Sequence, residues 1–186
     1  MKNIMFRRKR EGKTNYKKRL GLLLNKKPRI VVRFSLKNIT VQIIEYKEEG
    51  DKILASANSK ELEKTYGWKF SRNNIPAAYL TGYLLSKRAT KKEVKEAILD
   101  IGLKTSIKGG KIYSVLKGIL DGGIKVPHSK EMLPSEEAIK GAHILNYSQK
   151  LLKEGKYEKV FSDYAKKGIK LEELPKQFEE IKKKMD

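Results

Sequence analysis

The sequence predicts an α/β fold, a mixed β-sheet with helices packed on it, led by a basic arm and followed by a helical extension. Three observations predict it. Apolar and polar side chains alternate along "RIVVRFSLKNITVQII", the period becomes helical from Asn74 onward, and the positive charge is concentrated in front of both. The boundaries read from the sequence are an arm over 1–28, an α/β domain over 29–130 and a helical extension over 131–186.

The arm is defined by charge. The chain holds 43 Lys and Arg against 22 Asp and Glu, a net charge of +21 with a pI near 9.9. Residues 1–29 contribute +11, residues 30–130 +9 and residues 131–186 only +1. Within the arm, "RRKREGKTNYKKR" (7–19) has eight cations in thirteen positions and one acid, Glu11. Before Leu20 its sizeable apolar groups are Ile4, Met5, Phe6 and Tyr16, too few to offset the entropy of ordering it alone. Self-repulsion on this scale is relieved by a polyanion, either a nucleic acid or an anionic membrane. Arginine forks fit phosphate oxygens, and Tyr16 offers a face for stacking, so the arm is expected to order against RNA. Glu11 and Gly12 punctuate it, with a helix starting near Thr14 or Asn15.

The domain begins after Pro28 with a β-hairpin. Ile30, Val32 and Phe34 share one face of the first strand, and Ile39, Val41 and Ile43 continue that face after a turn near Leu36–Asn38. The opposite face presents Arg33, Ser35, Lys37, Asn38, Thr40 and Gln42, a polar and cationic surface suited to RNA. The acidic turn "KEEGD" leads into a third strand, "KILASANS". Asn73 or Asn74 caps a helix with Pro76 in its first turn and basic residues at its end. The core of "EVKEAILDIGL" reads as a strand stopped by Gly102. Ile112, Val115, Leu116, Ile119 and Leu120 then mark one face of a second helix that ends at Gly122 and Gly123. Strand, helix, strand, helix gives a crossover unit and hence a mixed sheet.

The extension reads as helices. Ser135 caps the first, with Glu136 and Glu137 in its opening turn; Leu145, Leu151 and Leu152 belong to an apolar stripe. Gly155 and Gly168 are breaks, and "ELPKQFEEIKKKMD" forms a terminal helix. It packs on the domain, on RNA or on a neighbouring protein.

Composition and motifs weigh against catalysis. The chain has no cysteine, which excludes disulfides, thiolate zinc sites and cysteine nucleophiles and fits a reducing cytoplasm. His128 and His143 have no metal-ligand spacing, and "KGGK" and "DGGI" match no phosphate-binding loop. A ribonuclease-H-like topology raises the alternative of a two-metal nuclease, which needs converging carboxylates. Only Asp100 sits at the end of an expected internal strand, whereas Asp51 lies in a turn and Asp121 at a helix end, so the nuclease is rejected. No cofactor or metal is expected. No apolar run or signal core predicts membrane insertion, and the polybasic arm lacks the second anchor that stable membrane binding needs. No helix-turn-helix or basic-zipper pattern points to DNA.

The strings "RRKREGKTNYKKRLGLLLNKKPRIVVR", "YGW", "NIPAAYLTG", "AILDIGL", "KIYSVLKGILDGGIKVPH" and "KGAHI", spanning roughly 7–144, resemble one family in the right order. It is the archaeal form of universal large-subunit ribosomal protein eighteen, whose eukaryotic counterpart is numbered five. The resemblance implies a non-enzymatic constituent of the ribosome that binds 5S ribosomal RNA and helps place it in the central protuberance. Its further partners there would be 23S-type RNA and neighbouring ribosomal proteins. Carried over by position, Arg7, Arg8, Arg10, Lys13, Tyr16, Lys17 and Arg19 of the arm would contact 5S RNA, as would Arg33, Ser35, Lys37, Asn38 and Gln42 of the hairpin. The family's turn reads Ser-Asn-Lys/Arg-His; here Ser35, Leu36, Lys37 and Asn38 stand there, with a leucine in place of the amide. A general RNA chaperone and a protein-interaction scaffold are the alternatives that the residues leave open.

Overall fold

The computed structural model describes residues 4–186. Two helices form in the arm, α1 (Arg7–Arg10) and α2 (Tyr16–Leu23). The left-handed Gly12 (φ 61°) separates them, and the Asn15 side chain caps α2 by accepting from the Lys18 amide at 3.1 Å. The hairpin follows as β1 (Arg29–Phe34) and β2 (Ile39–Glu45), antiparallel with Val32 opposite Val41, and β3 (Lys52–Asn58) adds to the far side of β2. Sequence alternation is realised in burial: Ile30, Val32, Ile39, Val41 and Ile43 are essentially inaccessible.

The chain then makes α3 (Ser59–Tyr66), capped reciprocally by Asn58 and Glu61, and α4 (Ile75–Thr90), capped by Asn74 with Pro76 in its first turn. A three-residue strand, β4 (Ile98–Asp100), pairs parallel to β1 and gives the sheet order β3-β2-β1-β4. This mixed sheet is the ribonuclease-H-like arrangement expected. One expectation needs correction: β4 lies at the sheet's edge rather than inside it, so Asp100 ends an edge strand.

Helix α5 (Lys111–Asp121) crosses α4 at glycines. A Cβ on Gly82 would collide with the Val115 carbonyl oxygen, and one on Gly118 with that of Tyr79. The backbones therefore meet directly, which seats α4 between the sheet and α5 and buries it on nearly all sides.

The extension comprises α6 (Glu136–Lys140), α7 (Ala142–Lys153), α8 (Tyr157–Val160), α9 (Ser162–Lys166) and α10 (Leu174–Met185). Ser135 caps α6 as the sequence predicts, and Gly155 and Gly168 are left-handed breaks. Of the three leucines expected to share a stripe, Leu151 is buried and Leu145 half-buried, but Leu152 is exposed because it falls beyond the buried arc of α7. Leu174, Phe178, Ile181 and Met185 of α10 join the main core, with Phe178 5.4 Å from the Tyr79 ring of α4. Among the packing surfaces left open by the sequence, the extension uses the domain itself.

Alanine favours a helix interior over glycine by about 1 kcal/mol, but the α4–α5 crossing reverses that sign. Gly82→Ala and Gly118→Ala are each expected to destabilise by about 1–3 kcal/mol through overpacking, read as a lowered urea midpoint with an unchanged slope.

Candidate nucleic-acid interface

On the outer face of β1 lie Arg29, Val31 and Arg33, one residue out of phase with the buried Ile30 and Val32. Arg29 is only 3% exposed, so its charge must be matched within the protein. Its guanidinium spans two carboxylates: Nη1 donates to Asp100 at 3.0 Å and Nη2 to Asp51 at 2.9 Å. Asp51 also takes Arg19 of α2 in a forked contact, 3.1 and 3.0 Å, while Lys18 donates to the Gly102 carbonyl at 3.3 Å. These links lay α2 across the sheet's outer face, and Val31 and Ile44 are buried there. Asp51 and Asp100 thus converge after all, but on a guanidinium. Among the described residues no cluster of His, Asp or Glu is arranged to hold a metal ion.

The predicted contact residues divide into two groups. Arg19 and Arg33 are engaged within the protein, Arg33 donating to the Val32 carbonyl at 2.8 Å and the Asp100 carbonyl at 3.1 Å. Arg7, Arg8, Arg10, Lys13 and Lys17 are exposed. Of these, Arg7 and Lys13 lie near Glu11 and Arg8 donates to Thr14, whereas Arg10 and Lys17 carry no ion pair among the described residues. The hydrogen bonds of residues 4–13 stay within the arm. Tyr16 is half-buried, one side of its ring 5.2 Å from Phe6. Arg8 and Lys13 border the same depression as Arg33, so the arm and hairpin form one continuous surface.

At the hairpin turn, the Ser35 hydroxyl accepts from the Asn38 amide at 3.0 Å and closes the loop. Lys37 and Leu36 project, Leu36 at 90% exposure. Asn38 is half-buried, with its Oδ1 enclosed and without a partner among the described residues. Gln42 is half-buried on the polar face beside Thr40, which accepts from Asn58 at 2.9 Å. Two residues that set the turn escape sequence reasoning. Asn73 donates to the Ser35 and Leu36 carbonyls, at 3.2 and 3.0 Å, and Lys111 donates to Asn73 Oδ1 at 2.9 Å. Burial, with repulsion from Lys104, lowers the Lys111 pKa, and its ammonium sits 5.2 Å from the Phe34 ring. The paired asparagines are legible as a helix cap; a tether acting across 37 residues is not.

The profile of the family "Ribosomal large subunit proteins 60S L5, and 50S L18" matches residues 2–97 and 89–129. The chain is 53% identical over 178 residues to the large ribosomal subunit protein uL18 of Korarchaeum cryptofilum, covering 96% of this chain and 91% of the relative. It is 50% identical over 183 residues to the large ribosomal subunit protein uL18 of Methanococcus maripaludis, covering 98% and 94%.

Removing one partner of a buried ion pair strands the others. Arg29→Ala is expected to cost about 3–5 kcal/mol; Arg19→Ala, whose pair is partly exposed and screened, is expected to cost about 1 kcal/mol or less. Urea unfolding of the two variants checks the ratio.

Proposed function

The chain belongs to the family of ribosomal large-subunit proteins 60S L5 and 50S L18, and from that premise we propose that its arm and hairpin bind 5S ribosomal RNA and help anchor it in the central protuberance. As a member of that family it is a structural constituent of the large subunit, not an enzyme; its partners are ribosomal RNA and ribosomal proteins, and it works on the cytoplasmic ribosome. Among the described residues no helix is long and apolar enough to cross a membrane.

The observation that carries the 5S reading is the clamp on α2. It holds the cationic arm beside the polar hairpin face, so that Arg7, Arg8, Arg10, Lys13 and Lys17 meet phosphates while Lys37, Gln42 and the turn reach bases. Arg19, Arg33 and Ser35 act mainly by positioning, since their polar groups are already engaged within the protein. Tyr16 contributes its free ring face to stacking. Contacts to 23S-type RNA and neighbouring proteins fall to the remaining surface.

At 150 mM salt the full chain is expected to prefer 5S RNA over transfer RNA by a hundredfold or more, about 2.7 kcal/mol. With about six phosphates contacted, affinity should fall on the order of a thousandfold between 50 and 200 mM salt. A chain beginning at Thr14 keeps the clamp and should fold, yet lose most of that salt dependence. Filter binding reads all three quantities. Equal affinity for the two RNAs would replace this reading with that of a general RNA chaperone.

A further inference from the structure

We infer that a cleft between the hairpin turn and the C-terminal helices holds an unstacked nucleotide of single-stranded RNA, at a site separate from the arm. Its volume is about 800 Å³. Leu36 and Lys37 form one lip, the loop 69–72 the floor, and α7, α8 and α9 the far wall. This wall lies wholly beyond residue 129, outside the stretch matched by the family profile.

Aromatic rings line the cleft, Tyr147 being the most exposed of them. Phe70 is buried in the floor, 6.1 Å from Tyr164, which lies 5.9 Å from Phe161; Tyr147 meets Phe161 edge-on at 6.1 Å and is half exposed. These rings are held in place. The Tyr164 hydroxyl accepts from the Ser71 amide at 2.8 Å, and Gln177 of α10 bridges the loop by accepting from Lys69 N at 3.2 Å and donating to the Gly67 carbonyl at 2.8 Å. The opposite lip is held by Asn73 through the turn carbonyls. A preformed aromatic cleft avoids the ordering cost that weakens binding by mobile side chains.

Charge selects the occupant. Lys37, Lys69 and Lys167 line the cleft, exposed and without an ion pair among the described residues, whereas Arg72 is tied to Glu63 at 2.5 Å and Asp163 is the one carboxylate left unpaired. A protein segment would have to supply several acids as well as apolar groups. Single-stranded RNA supplies a phosphate with every nucleotide and a π-face with every base, matching both features at once. The inference rests on RNA as the partner and not on the 5S assignment of the arm.

The test uses the full chain and hexaadenylate RNA at 150 mM salt, followed by the NMR ring signals of Tyr147, Phe161 and Tyr16. The Tyr147 and Phe161 rings are expected to shift saturably. Lys69→Ala with Lys167→Ala, both exposed and compatible with folding, should weaken that site roughly tenfold or more through two lost phosphate contacts, leaving the Tyr16 response unchanged. Still rings at 147 and 161 overturn the inference whatever Tyr16 does. A still Tyr16 ring beside shifting cleft rings would count against the arm alone. In intact large subunits, ultraviolet irradiation should give RNA adducts on peptides containing Tyr147, Phe161 or Tyr164. A cross-link from Lys69 or Lys167 to another protein, with no RNA adduct there, would assign the cleft to a protein and overturn the inference.

Discussion

The structure depends on one buried guanidinium. Arg29 enters β1 at the sheet's outer face, where a cation removed from water costs several kcal/mol unless it is paired and hydrogen-bonded. Two carboxylates from distant parts of the chain match it: Asp51 in the connection between β2 and β3, and Asp100 at the end of β4. An ammonium is a point charge, whereas the planar fork of arginine spans two acceptors at once. Asp100 uses its remaining oxygen on the Gly102 amide at 2.8 Å, and Asp51 its remaining capacity on Arg19. The clamp therefore unites the edge strand, the hairpin and the arm. It also gives Asp51 and Asp100, two carboxylates weighed for a metal centre, a structural task.

The second constraint is steric. Backbone contact at Gly82 and Gly118 brings α4 and α5 closer than side chains would permit, and α4 becomes the axis on which the sheet, α5 and α10 all pack. Helix α10 carries four lysines against two glutamates and is mostly polar in sequence, yet four apolar positions on one arc suffice to join it to the core. The extension thus provides a wall of fixed geometry rather than a loose tail, which allows Phe161 and Tyr164 to be arrayed opposite the hairpin turn.

How much of this was legible follows from the range of each interaction. The hairpin, the caps at Asn15, Asn74 and Ser135 and the left-handed glycines at 155 and 168 rest on patterns a few residues long, and local chemistry decides them. Helix α3 is not legible in the sequence because "SKELEKTY" is short and charged and buries only Ser59 and Leu62. Trp68 lies in the connection after α3, which folds inward and buries the indole, whose N–H donates to the Ser71 carbonyl at 3.0 Å. The Arg29 clamp joins positions 22 and 71 residues apart, and no local pattern announces it. The cations were legible as a footprint from charge alone, but which of them are already committed, as Arg19 and Arg33 are, only the fold reveals.

That commitment changes how the arm would work. A tail disordered along its whole length would lose about 1–2 kcal/mol per residue on being fixed against RNA. With α2 already helical and docked, eight residues avoid that loss, and the cost falls mainly on the stretch before Thr14, whose hydrogen bonds remain internal. Residues with free cations are thus carried on a fixed base. In the proposed complex, phosphate contacts from that stretch would supply affinity and salt dependence, while the turn held by Ser35 and Asn73 would supply the rigid geometry from which bases can be discriminated. Arg19 enters this scheme from the protein's side: its bond to Asp51 is made within the protein and fixes α2, the base from which the stretch before Thr14 would approach RNA.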